Sequence, residues 1–304
     1  MQGKISNRMQ VCSLVRYTVT DGRMLGLRVI ECDNGKLRFL LNESKALDVM
    51  QLFHEGENLS FVSKNGFSLR QIPFEKRFEG GMLYTCGLDC VGAKEGLETH
   101  GSLHNTPAEV FRAECTDEGI VVEAEVRDSA LFGKNLLLKR RISTKAYGDS
   151  LEIEDVLVNE GTRGEEYALL YHVNLGYPFL DEGGKISADV RSVEGRTPWA
   201  QAHIGNWTEI VPPKENEEEM CYYARLVRPE ISYVNPARHK KFTLTYEGED
   251  LSRFIVWKSM SCGDYALGLE PTTTELDDRF GYARIEKGER KRFRITLTVK
   301  REES

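Results

Sequence analysis

The chain has 304 residues, 40% hydrophobic and 29% charged, an ordinary balance for a chain with a substantial core and one that excludes disorder as the default. A formal net charge of −7 argues against a nucleic-acid surface, which needs clustered Lys and Arg, and fits a neutral or weakly polar small molecule. No window approaches the roughly 20 apolar residues of a membrane helix, so no membrane partner is expected. Seven scattered cysteines, Cys12, Cys32, Cys86, Cys90, Cys115, Cys221 and Cys262, with no export signal at the start, lead to an expectation of reduced thiols in a cytoplasm.

Strand signals recur about every 8 to 12 residues, as in all-β domains. The first 20 or so residues read as an extension or an edge strand. Residues 25–32 and 36–41 flank Asp33-Asn34-Gly35 and form a hairpin whose turn suits the positive φ that Asn and Gly tolerate. Apolar spacings of three and four over residues 43–51 predict a short helical turn, and residues 107–112 a second. Strands follow at 120–126, 136–142 and 150–158, the last with one apolar face and one rich in carboxylates. A strand over 166–171 ends at His172, before the turn signal Gly176-Tyr177-Pro178. Pro212 to Glu219 is a loop with paired prolines and an acidic run, a solvated excursion or, alternatively, a lid. An apolar strand over 265–270 ends in Glu270, and 292–299 alternates as a closing strand. Nothing between the halves has linker composition, so residues 1–304 read as one all-β domain. The expected architecture is an oversized sandwich with few short helices and a face free to hold a ligand.

Three segments carry proton-transfer side chains near strand ends or turns: His100, His172 and Glu270. Two histidines and a carboxylate suffice for acid/base chemistry without metal or cofactor. His100 and His104 have a spacing that suits metal ligands on a helix, but Gly101 disfavours the helix and no Glu follows His100; a loop presenting one histidine fits better. Strand alternation puts Gly268 and Glu270 on one side, with open space beside the carboxylate. Arg77, Asn105, Trp199, Gln201 and Trp257 are the candidate ligand contacts, while His54, His203 and His239 lie in polar, loop-like contexts without an assigned role. No phosphate-cradling loop, dinucleotide fingerprint or nucleophile elbow is present.

The words at 80–88, 100–108, 171–178 and 265–271 resemble those of the aldose 1-epimerase (galactose mutarotase-like) superfamily, and within it the DUF4432 branch, over about residues 20–300. The resemblance implies a β supersandwich with a sugar pocket, interconverting α and β anomers through the open-chain aldehyde. It implies that His172 protonates the ring oxygen, Glu270 takes the proton of the anomeric hydroxyl and His100 orients the sugar, with no metal and no cofactor. Two positions depart from the ordinary pattern: Ser102 replaces a second glycine after His-Gly, and Asn174 follows the central histidine at a shorter interval. Two rivals keep the same scaffold: a noncatalytic carbohydrate-binding protein, and a metal-dependent sugar isomerase or lyase using His100, His104, His172 and Glu270. A homodimer is compatible with the sequence, which selects neither the oligomeric state nor the sugar.

Overall fold

The computed structural model describes residues 4–302. Strands β1 (Ser13–Thr18), β2 (Arg28–Asp33), β3 (Leu37–Asn42), β4 (Asp48–His54) and β5 (Glu57–Asn58) form an antiparallel sheet in that order, with β1 at its edge. After β6 (Leu83–Leu88) come β7 (Glu109–Cys115), β8 (Gly119–Ser129), β9 (Asn135–Lys145), β10 (Ser150–Asn159) and β11 (Glu165–Gly176). Then follow β12 (Lys185–Ser187), β13 (Val190–Gly195), the one-turn helix α1 (Pro198–Ala202), β14 (Met220–Leu226), β15 (Glu230–Asn235) and β16 (Lys240–Glu247). The chain closes with β17 (Arg253–Ser261), β18 (Asp264–Thr272), β19 (Ala283–Ile285) and β20 (Arg290–Arg301). An eight-stranded sheet runs β12-β15-β16-β20-β10-β9-β8-β7. A seven-stranded one runs β13-β14-β17-β18-β11-β19, with β6 paired to β11. This is an all-β fold built from three sheets.

The hairpin at Asn34-Gly35 forms as expected, and Asn34 also donates into the β9–β10 turn, at 2.7 Å to Thr144 Oγ1. Two expectations fail. Residues 43–47 are a turn in which Ala46 and Leu47 take φ of 50° and 55°, and the rest of the supposed helix is β4, paired with β3 from Leu37↔His54 to Asn42↔Asp48. Residues 109–115 are β7, paired with β8. In both places sheet pairing with a distant segment outweighs a helical pattern too short to stand alone. The expectation of reduced thiols is corrected at one pair: Cys12 and Cys115, which bring β1 and β7 together, are joined as a disulfide with Cα atoms 6.7 Å apart. Among the described residues no helix is long and apolar enough to cross a membrane.

The central sheet buries both of its faces, and alternation decides what each holds. Leu169, Tyr171, Val173, Val256, Leu267 and Leu269 enter a core cluster that draws on all three sheets. Their neighbours Tyr84, Cys86, Ala168, Leu170, Cys221, Tyr223 and Ile255 form a second, smaller cluster on the opposite face, covered by Phe74, Phe78 and Phe280. His172, Glu270 and Trp257 fall on this second face.

Candidate active site

His172 lies inside β11, with four residues of strand after it, not at the strand's end. The register that pairs Leu170 with Thr272 and Val173 with Leu269 brings His172 level with Glu270 on β18. On the other side of β11 the direct partner of His172 is Tyr84 of β6, and Trp257 of β17 pairs with Gly268. Four strands therefore aim these side chains at one spot. Nε2 of His172 stands 3.3 Å from Oε1 of Glu270, and both side chains are buried. The imidazole packs edge-on to the Trp257 ring, centroids 5.5 Å apart, and against Phe78 at 5.8 Å.

Gly268 makes room for the pair. A Cβ built there would collide with Oε1 of Glu270, lie 3.1 Å from Cε1 of His172 and 3.2 Å from Cβ of Trp257.

His100 arrives from the loop between β6 and β7 with φ of 65°. Its backbone is pinned by bonds from His100 N to Gly92 O (2.8 Å) and from Gly87 N to His100 O (3.0 Å). Gly101 must be glycine: its φ is 78°, and a Cβ would strike the carbonyls of Gly87 and Cys90. The Nδ1 of His100 accepts from Gly92 N–H at 3.2 Å, which leaves the ring proton on Nε2. The ring stands 5.7 Å from that of His172, nearly perpendicular, with Phe74 behind it at 4.9 Å.

Burial dominates the electrostatics. It lowers the pKa of His172 to about 3, with His100 lowering it further and Asn174 acting against the shift. His100 falls to about 4, from burial and the nearby Arg196. Glu270 is pushed well above the usual carboxylate range, first by burial and then by Glu219, with Arg196 pulling the other way. Both groups thus favour their neutral forms in the protein alone, and one proton serves the pair.

The remaining candidates lie at different depths. Trp257 packs on the pair, and its Nε1 donates to Glu219 Oε2 at 2.7 Å. Arg77 is buried against Glu98, two residues before His100, and its Nε has no partner. Asn105 sits in the 3-10 turn after Ser102 with its Nδ2 buried and unpartnered. Trp199 and Gln201 use their polar atoms near their own helix α1, on Glu218 O at 3.2 Å and Gly195 N at 2.8 Å. His104 belongs to a separate buried network: its ring nitrogens face Asp48 (2.6 Å) and Glu79 (3.3 Å), and Tyr84 stacks on it at 3.6 Å. Both nitrogens are therefore occupied away from His172. Among the described residues no three His, Cys, Asp or Glu side chains converge as a metal-ligand group.

Sequence reading missed Tyr84, Arg196 and Glu219. Arg196, just after β13, forms a two-pronged ion pair with Asp277 at 2.6 and 2.9 Å, and its charge reaches both His100 and Glu270. Glu219 left a trace as the last residue of the acidic run, and Tyr84 as a member of the 80–88 segment, whereas Arg196 left none.

Solved structures share this all-β sandwich, which is a galactose mutarotase-like fold. A "putative aldose 1-epimerase" from Klebsiella pneumoniae aligns with a TM-score of 0.86 at 20% identity, covering 96% of this chain and 84% of that one. A galactose mutarotase-like protein from Clostridium acetobutylicum aligns at 0.71 and 13% identity, covering 96% and 99%. A "putative mutarotase" from Salmonella typhimurium aligns at 0.67 and 14%, covering 98% and 96%. No curated protein matches the chain. The family model described as a domain of unknown function, DUF4432, matches residues 24–299, and the chain belongs to that family.

Proposed function

We propose that this protein is an aldose 1-epimerase-type isomerase that interconverts the anomers of a sugar or sugar derivative, using His172 and Glu270 as its acid/base pair. The observation that carries this reading is the buried approach of Nε2 to Oε1 at 3.3 Å beside the space left by Gly268. Ring opening needs a base at the anomeric hydroxyl and an acid at the ring oxygen, two atoms of one acetal carbon that a closely set pair can serve together. Glu270 takes the O1 proton, the C1–O5 electron pair moves to O5, and His172 delivers a proton there. Rotation about C1–C2 and the reverse steps give the other anomer, with both proton inventories restored.

In the protein alone, burial puts the shared proton on the carboxyl and leaves the imidazole neutral. Moving that proton from Oε1 to Nε2 produces the working arrangement of imidazolium and carboxylate without changing the net charge of the site. His100, with its proton on Nε2, is a donor for a sugar hydroxyl. Trp257 supplies an aromatic wall beside the pair.

The test is exchange NMR between anomers across a panel of neutral, acidic and phosphorylated aldoses. One or more should show exchange accelerated by the protein. His172→Ala and Glu270→Gln should each reduce that rate about 10²- to 10⁴-fold, the usual contribution of a positioned acid or base. Unchanged rates in both variants would remove the proposal, and tight sugar binding with no acceleration would favour a carbohydrate-binding role.

A further inference from the structure

We propose that the cavity where β13, β14 and β17 part is a binding site for a phosphoryl group, separate from the acid/base pair and held by Arg191, Arg225 and Arg253. The cavity measures about 440 Å³, and its lining includes these three arginines with Ser192, Ser252 and Tyr246. That volume falls within the range of small-molecule sites, about 300–1,000 Å³.

Sheet geometry brings the three arginines together. The β14–β17 ladder stops at Ala224↔Phe254, so Arg225 and Arg253 come next in register, where the two strands separate. By alternation both share the sheet face of Tyr223 and Ile255. Arg191 belongs to the edge strand β13, as the extra residue of a bulge between Val190↔Leu226 and Ser192↔Arg225. A bulge at a sheet edge re-aims one side chain. The arginine row stands two residues along β17 from Ile255, the partner of Glu270, whereas Oε1 of Glu270 lies the other way, beside Gly268. The two sites therefore face opposite ends of the same strands.

The charges around the cavity do not cancel. Glu275, a buried carboxylate, pairs with Arg225 and lies 3.9 Å from Nε of Arg253, while Arg279 shares it at 3.7 Å. The acids nearest in sequence to Arg191 are already paired, Asp189 with Arg228 at 2.6 Å and Glu194 with Arg279 at 2.5 Å. Three guanidinium groups on the cavity against one shared carboxylate leave a surplus of two positive charges. Nη1 of Arg225 is also buried with no hydrogen-bond partner. A buried N–H without an acceptor is costly, and an anion oxygen satisfies it. A phosphoryl group carries about −1.5 to −2 charge at pH 7 and three strong acceptor oxygens, which matches both the surplus and the planar donor forks of several arginines. A single carboxylate would leave part of that charge unmet. Ser192 and Ser252 add hydroxyls to the same lining.

The experiment is calorimetric titration of the whole chain at low ionic strength, in a buffer free of phosphate and sulfate. The probes are inorganic phosphate, glycerol 3-phosphate and glycerol. The expected result is saturable binding of a phosphorylated probe with a Kd on the order of 1 mM or tighter, and no binding of glycerol. Tighter binding of glycerol 3-phosphate assigns the site to an organic phosphate, and tighter binding of inorganic phosphate assigns it to the free anion; both sustain the site. Arg191→Gln and Arg253→Gln should each raise Kd about tenfold or more, and His172→Gln should leave it within about twofold. If Arg253→Gln does not fold, Arg191→Gln decides, because that side chain is exposed. The inference is overturned if neither phosphorylated probe binds, if the arginine variants keep the wild-type Kd, or if His172→Gln abolishes the binding. Because the readout is binding and not turnover, the result is independent of whether the protein exchanges any anomer.

Discussion

The indole of Trp257 donates to the carboxylate of Glu219 at 2.7 Å, and this bond ties the end of the 212–219 loop to the sheet face that carries Glu270. The loop therefore does more than solvate an acidic run. Through this contact a negative charge is held close enough to Glu270 to raise its pKa, while the Arg196–Asp277 pair sets a positive charge on the opposing side of the balance.

That balance predicts opposite shifts in the pH–rate profile. Glu219→Gln keeps an acceptor for the indole and removes the charge, so the limb governed by Glu270 should move to lower pH. Arg196→Gln removes the counteracting cation, and the same limb should move to higher pH. Exchange rates measured from pH 4 to 9 check both; shifts of the same sign would show that some other group sets the limb.

Gly268→Ala adds one carbon where Oε1 of Glu270 already stands. The φ of Gly268 lies outside the left-handed region, so the backbone accepts alanine and the strain falls on the carboxylate. A displacement of order 1 Å in a reacting group costs about 10²-fold. The expected result is a loss of that size in kcat/KM with a circular dichroism spectrum like that of the wild type.

Stability should also register the buried carboxyl. The pKa of Glu270 is raised from about 4.5 in the folded chain, so the folded state binds its proton more tightly than the unfolded state does. Its favourable contribution is full below about pH 4.5 and is lost as pH rises through the folded pKa. Glu270→Gln, neutral at every pH, should therefore have a higher Tm than the wild type at pH 8, with the gap closing toward pH 4. His172 has the opposite sign: its pKa falls from 6.5 to about 3, so its contribution is present above 6.5 and is lost on acidification. Thermal melts of Glu270→Gln and His172→Gln across this range separate the two.

Arg140 anchors the polar network beneath the site. It is fully buried, pairs with Asp155 at 2.7 Å and Asp48 at 2.5 Å, and donates to Thr85 Oγ1 and the Ala46 carbonyl. Asp48 in turn holds His104, on which Tyr84 stacks. Arg140→Met would leave two buried carboxylates without their cation, at a cost of about 3–5 kcal/mol. Urea denaturation at pH 7 should show a loss of that order, and a change below about 1 kcal/mol would mean that the network contributes little.

Local pattern predicted some elements well and others poorly. The Asn34-Gly35 hairpin and strands β8, β9, β10 and β20 were legible because alternation and turn chemistry act within a few residues. Residues 43–51 and 107–112 were misread because their pairing partners, β3 and β8, compete with a weak helical pattern that looks sufficient only in isolation. His172 was placed at a strand end because Gly176 and Pro178 mark a turn, whereas pairing with β6 and β18 carries the strand through to Gly176.

By itself the sequence determined that the chain is built of strands and that Gly268 and Glu270 share a strand face, since a period of two is local. Only the tertiary structure decided who stands across from whom. The approach of His172 to Glu270, the presence of Tyr84, Glu219 and Arg196 around them, and the removal of His104 into another network all depend on register between strands far apart in sequence. No local pattern records that register, because it is set by burying both faces of the central sheet at once.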